Sequence, residues 1–293
     1  MIHTSAPGTL MLMGEHAVLH GKHCLVAATD QRLQVYLKPR RDQSIQIHSA
    51  LGQLSTSLDC LEVKPPFTFV LAAIKNGKPK TGFDLEIQSD FTATVGLGSS
   101  AAVLVATTLA LHALETNAEH NDKKIFDLAY QTLIEIQGRG SGADLAASIL
   151  GGVVRYCQQP FSWQKLQLTI PEITLVYSGY KTPTPEVIQI VEAARQKDPQ
   201  KYARIFTKMD KAVMQADTNF NASFSTCQHL MEELGVVDQT LQKIVDLFAP
   251  APAKVSGSGL GDCVIGLGKY AKIGDYSIIP AQLAIKGMLI HAR

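Results

Sequence analysis

One stretch of this chain restricts its fold more than any other. Residues 103–114 read VLVATTLALHAL, and a helix from about Ser100 to Glu115 would be apolar almost all the way round. Such a helix has no face to give to water, so it belongs at the centre of a fold built around it. The eight residues leading into it, Val95 to Ala102, read VGLGSSAA. Glycines just before a helix allow backbone conformations and close approaches that a side chain would block. The helix start itself carries unpaired N–H groups and partial positive charge. Serines there cap the helix, bind an anion, or offer oxygen to Mg²⁺. Two readings are open from these residues alone: an ordinary capped helix after a turn, or a phosphate site.

The chain has 293 residues, 46% of them hydrophobic, which is enough for a sizeable core and two lobes. Its net charge is +1 with no basic block, which argues against general nucleic-acid binding and against a membrane-surface patch. The five cysteines (Cys24, Cys60, Cys157, Cys227 and Cys263) are scattered without a C-x-x-C pair. They fit reduced thiols better than a disulfide framework or a zinc site. The first residues, MIHTSAPGTLMLMGEH, do not form a signal peptide, and no run of 18 apolar residues occurs. The expectation is a soluble, cytoplasmic protein.

Alternation predicts strands over Cys24 to Leu37, over Ser44 to His48 and in FDLEIQS. A short helix is predicted over Phe67 to Lys75, and a longer one starts at Asn121 or Asp122 with Ile125, Leu128, Ala129, Leu133 and Ile136 at helical spacing. VVRYC and ITLVYS read as strands, and Thr184–Pro185 opens a helix in the order expected of a cap and first-turn proline. At least two more helices precede Pro250, and AKVSGSG, CVIGLG and LAIKGMLIHA look strand-like. Pro160 and the polar residues after it suggest a lobe boundary near residue 158, giving lobes 1–158 and 159–293. Strands and helices mix in both halves, so the fold class is α+β rather than a regularly alternating parallel sheet.

Three glycine-rich segments carry the chemistry: APGTLMLMGEHAVLHG (Ala6 to Gly21), VGLGSSAA, and KVSGSGLGDCVIGL (Lys254 to Leu267). No G-x-x-x-x-G-K-[ST] loop, G-x-S-x-G elbow or H-E-x-x-H string is present. GSGLGD is followed by a predicted strand, where a dinucleotide fingerprint requires a helix. Taken in order, the three segments resemble the motifs of the GHMP kinase family, whose members include galactokinases, homoserine kinases, mevalonate kinases and phosphomevalonate kinases. The resemblance covers nearly the whole chain. Within the family, GEHAVLHG is most like the mevalonate kinase members, whereas QGRGSGADLAASILGGVVRY is also similar to phosphomevalonate kinases.

The resemblance implies a two-lobed GHMP kinase fold, with an N-terminal α+β lobe and a C-terminal ferredoxin-like lobe. It implies ATP and Mg²⁺ as cofactors and a small-molecule partner, mevalonate or phosphomevalonate, and leaves a homodimer open. It places the nucleotide phosphates on Gly96, Leu97, Gly98, Ser99, Ser100 and Ala101, with Ser99, Ser100 and Glu135 as candidate Mg²⁺ ligands. Asp144 and Lys181 are the candidate catalytic residues, and Glu15, His16, His20, Gly257, Ser258 and Gly259 the candidate substrate contacts. The chain departs from the family in three places. Thr9 stands where a lysine is expected, leaving Lys181, Lys22 or Arg139 to supply a cation. Thr92 and Thr94 stand where a proline and a glycine are expected. Glu135 lies nine residues before Asp144, one short of the usual register.

Overall fold

The computed structural model describes residues 1–91, 96–116 and 120–292. Positions 92 and 94 lie outside the described residues. The first part of the chain forms β1 (Ile2–Met13), β2 (Cys24–Pro39), β3 (Ser44–Ser49), β4 (Gly52–Ser57), α1 (Thr68–Gly77) and β5 (Phe83–Ser89). It continues through α2 (Ser99–Thr116), α3 (Asp122–Gln137), α4 (Ala143–Leu150), β6 (Val153–Cys157) and β7 (Ser162–Leu166). The remainder is β8 (Ile173–Tyr177), α5 (Thr184–Lys197), α6 (Pro199–Gln215), α7 (Phe220–Leu234), α8 (Gln239–Asp246), β9 (Ala253–Ser256), β10 (Cys263–Leu267), β11 (Ser277–Ile279) and β12 (Leu289–Ile290).

The predicted central helix is α2. It packs on β1 and β2 and is flanked by α1, α3 and α4, so residues all round its surface are buried. Its 18 residues are long and apolar enough to cross a bilayer, but these packing partners make it a core helix. Asn121 caps α3 by accepting from Lys124 N–H at 3.1 Å, as the sequence suggested.

The larger sheet runs β12-β1-β2-β5-β3-β4, and the β6–β7 hairpin joins it through β2. The 16-residue β2 is long enough to pair with β6 over Cys24–Ala27 and with β5 over Leu33–Pro39. β1 was not anticipated as a strand, because Pro7 and Gly8 interrupt its alternation. The register shifts between Pro7 and Thr9 and between Met11 and Met13, where the ladder absorbs those residues.

The smaller sheet is antiparallel, ordered β11-β8-β10-β9, with α5 to α8 between its first two strands. Numbered along the chain, that order is 4-1-3-2, as in the ferredoxin-like β-α-β-β-α-β unit. Between β10 and β11, however, residues 268–276 form turns rather than a second helix. The expected boundary near 158 falls within the β6–β7 hairpin of the larger sheet, because Pro160 serves a hairpin turn and not a linker. The chain crosses to the smaller sheet between Leu166 and Ile173. It later returns, so that β12 closes on β1 with Thr4 opposite Ile290.

Candidate active site

A cleft opens between the two sheets, walled by β1, the loop entering α2, the end of α3, the start of α4, and the loops after β8 and β9. The loop that leads into α2 turns through two left-handed glycines, Gly96 (φ 67°) and Gly98 (φ 61°). A Cβ on Gly98 would lie 1.9 Å from Thr9 Oγ1, and one on Gly96 would lie 2.1 Å from Asp262 Oδ1. Neither position could carry a side chain without displacing a polar group of the cleft. Thr9 N–H donates to Leu97 O at 3.0 Å, tying the loop to β1. Gly96, Leu97, Gly98, Ser99, Ser100 and Ala101 all line the cleft, with the N-terminus of α2 facing it.

Asp144 sits in the first turn of α4, where Gly142 (φ 80°) is the N-cap. Its carboxylate does not cap that helix: Oδ1 accepts the Thr9 hydroxyl proton at 2.7 Å. Burial raises the Asp144 pKa above the ordinary carboxylate value. The Thr9 hydrogen bond and the Lys181 charge oppose that shift, and the Asp262 charge adds to it. Lys181 lines the cleft with its Nζ 3.0 Å from Asp262 Oδ2.

Deeper in the wall, Glu15 and Lys254 form a buried ion pair, with side chains 2% and 0% exposed. The Lys254 ammonium also donates to Val255 O, while Glu15 Oε2 has no hydrogen-bond partner among the described residues. Burial pushes the Glu15 pKa up, and the Lys254 charge draws it back. His16 is held in the left-handed region (φ 58°), with Nε2 2.8 Å from Ser258 O. A carbonyl only accepts, so the proton is on Nε2 and Nδ1 is left as an acceptor. Burial lowers the His16 pKa, which favours that neutral ring. Gly257 and Ser258 complete this wall.

Three expected contacts lie elsewhere. Leu133 and Gln137 of α3 line the cleft. Glu135, two residues from each, is rotated about 200° away on the helix. Its carboxylate instead accepts from Asn76 Nδ2 at 2.7 Å and Gln131 Nε2 at 3.0 Å. Glu135 is therefore not placed as a cleft Mg²⁺ ligand. His20 is outside the lining, stacked on Phe206 at 4.5 Å and 3.7 Å from Glu192 Oε2. Gly259 packs behind the loop, where a Cβ would meet Val236 O at 2.4 Å. Lys22 also lies outside the cleft lining, whereas Arg139 is part of it.

Sequence reasoning missed three participants: Thr9 as the partner of Asp144, Asp262, and Lys254. Two left a trace. Lys254 lies in a strand whose four residues are all buried, and a lysine in a fully buried strand signals a paired charge. Asp262 ends the glycine-rich run GSGLGD, where it adopts a left-handed conformation (φ 69°) that aspartate tolerates better than most residues.

Residues 67–152 match the family model for the GHMP kinases N-terminal domain. A mevalonate kinase from Archaeoglobus fulgidus is 31% identical over 96% of this chain and 98% of its own length. The chain belongs to the GHMP kinase family. A Pyrococcus furiosus mevalonate kinase is 27% identical over 90% of this kinase and 88% of its own length. The crystal structure of the Methanococcus jannaschii mevalonate kinase superposes with a TM-score of 0.82 and 26% identity, covering 96% and 98% of the two chains. This kinase is an ATP-dependent phosphotransferase with an alcohol acceptor, and its α+β architecture is the GHMP kinase fold.

Proposed function

We propose that this kinase transfers the γ-phosphoryl group of ATP to the primary hydroxyl of mevalonate, giving 5-phosphomevalonate. The carrying observation is the half-buried Asp144, held by Thr9 beside the loop that enters α2. A single carboxylate in that place can accept or orient the proton of an attacking hydroxyl. The N–H groups at the start of α2 would cradle the nucleotide phosphates. Glu15 and His16 line the same cleft as Asp144, where the acceptor would sit.

The charge balance of the cleft favours mevalonate over its phosphate as acceptor. Lys181 is paired with Asp262, and Lys254 with Glu15. Arg139 lines the cleft and makes no ion pair among the described residues, so it is available to one carboxylate. An acceptor carrying both a carboxylate and a phosphate calls for more cations than that. The chain's similarity to curated mevalonate kinases supports the same choice.

The residues beside the loop also fit a hard divalent cation. Their donors are the Ser99 and Ser100 hydroxyls and the Asp144 carboxylate, all oxygen. Bound Mg²⁺ would neutralise charge on the nucleotide phosphates. A cytoplasmic setting is consistent with the cysteines, which form no disulfide among the described residues.

ATP-dependent ADP release should be measured against mevalonate, 5-phosphomevalonate, homoserine and galactose. Turnover on mevalonate alone bears out the proposal. Turnover on 5-phosphomevalonate instead makes this a phosphomevalonate kinase. ATP binding without turnover on any of the four points to a ligand sensor on a kinase fold.

A further inference from the structure

The β1 residues that line the cleft, Thr9 and Met11, carry no charge. Thr9 contributes a hydroxyl there, which donates to Asp144. Phosphoryl transfer develops negative charge on the transferring oxygens and is accelerated by cations held in place before the reaction. Lys181 lines the same cleft as Asp144, and its charge bears on that carboxylate. Yet Lys181 is carried by the loop after β8, and its side chain is 37% exposed. A lysine in that situation samples many rotamers in water unless something holds it.

Asp262 is built to hold it. Its N–H donates to Tyr180 O at 2.8 Å and its carbonyl accepts from Ser178 N–H at 2.9 Å. These bonds clamp Asp262 to the loop that carries Lys181. A Cβ on neighbouring Gly261 would lie 2.9 Å from the Tyr180 ring, so the two loops are in close contact. On its other side the Asp262 carboxylate lies against Gly96 of the loop entering α2. The carboxylate is thus wedged between the two loops, and its second oxygen takes the Lys181 ammonium at 3.0 Å.

We infer that Asp262 is a positioning residue that fixes the Lys181 ammonium in the cleft beside Asp144, so that the cation for phosphoryl transfer comes from the loop after β8. The inference rests on the kinase reading of the site but not on the identity of the acceptor. Asp262 acts through Lys181, so the two residues form one functional unit.

The test is a double-mutant cycle on the intact protein, using whichever acceptor the wild type turns over. Lys181→Met should lower kcat by about 10²-fold or more, the scale seen when one fixed charge-stabilising donor is removed. Asp262→Asn should lower kcat by about tenfold with little change in the KM for ATP, and Asp262→Glu should restore part of the loss. The double variant should be no slower than Lys181→Met alone. Losses that multiply in the double variant, or an Asp262→Asn effect confined to the KM for ATP, would overturn the inference and point to an independent role for Asp262 at the nucleotide.

A second readout needs no turnover. Acylation of lysines by acetic anhydride, followed by mass spectrometry, should show Lys181 modified several-fold faster in Asp262→Asn, with other lysines unchanged. Equal rates at Lys181 would refute the positioning role even if the wild type were silent on every acceptor. That silence would count against the kinase reading alone.

Discussion

Replacing Lys254 by methionine tests whether the Glu15–Lys254 pair works as a unit. Methionine keeps much of the stem that fills this site but removes the ammonium, and with it the cation–π contact to the Phe224 ring. Glu15 would then be a carboxylate with a 2% exposed side chain and no compensating charge. Its Oε2 is already unpartnered. Removing one member of a buried pair costs about 3–5 kcal/mol, because the other charge is left in a medium that solvates it poorly. For a chain of this size, at about 2 °C per kcal/mol, the melting temperature should fall by about 6–10 °C. The double variant Glu15→Gln/Lys254→Met has no stranded charge and should recover more than half of that loss. Lys254→Met should also be pH-dependent. Without the ammonium the folded-state pKa of Glu15 rises further above its unfolded value, so stability is retained at low pH and lost as pH rises. The deficit should therefore be smaller at pH 5 than at pH 8. Melting followed by circular dichroism at both pH values is sufficient. If the single and double variants melt together, or if Lys254→Met melts within 2 °C of wild type, the pair does not act as a unit.

Three further outcomes follow from the cleft. Asp144→Asn should lower kcat by at least about 10²-fold with ATP binding little changed. It should also raise the melting temperature at neutral pH, because burial of the charged carboxylate opposes folding there; calorimetry and steady-state kinetics on one preparation check both. Thr9→Val removes a hydrogen bond that favours the ionised form of Asp144. Its pKa should rise further, moving the acid limb of the kcat/KM profile to higher pH; an unmoved limb would separate Thr9 from the titrating group. Glu135→Gln should leave kcat and the Mg²⁺ dependence within about twofold of wild type, since Glu135 faces Asn76 outside the cleft; a larger change in a Mg²⁺ titration would contradict that placement.

The fold was legible wherever period and composition agreed. The apolar span of α2 announced a central helix, and Asn121 and Pro185 marked helix starts that the structure retains. β1 was not legible, because Pro7 and Gly8 read as breakers until the sheet supplies register shifts to absorb them. The hairpin turn at Pro160 has the composition of a linker, and only strand pairing distinguishes the two. In the site, glycine-rich segments pointed to the residues that line the cleft because close backbone approach leaves a mark in the sequence. Glu135 was misplaced because sequence distance from Asp144 does not report which way a side chain faces across the break between α3 and α4. The partnerships of Thr9 with Asp144 and of Lys181 with Asp262 join segments far apart in the chain, and nothing local predicts them.

The return of β12 to β1 sets an order on biogenesis. A ribosome adds about 5–20 residues per second, so β1 emerges many seconds before the strand it will lie beside exists. Throughout that interval the outer edge of β1 offers unpaired backbone groups to any extended chain nearby. The larger sheet can pack its helices early, but Thr4 and Ser5 gain their partners on that edge only after Ile290 has left the exit tunnel. Chaperone demand for this protein should therefore last until its two most distant strands have paired.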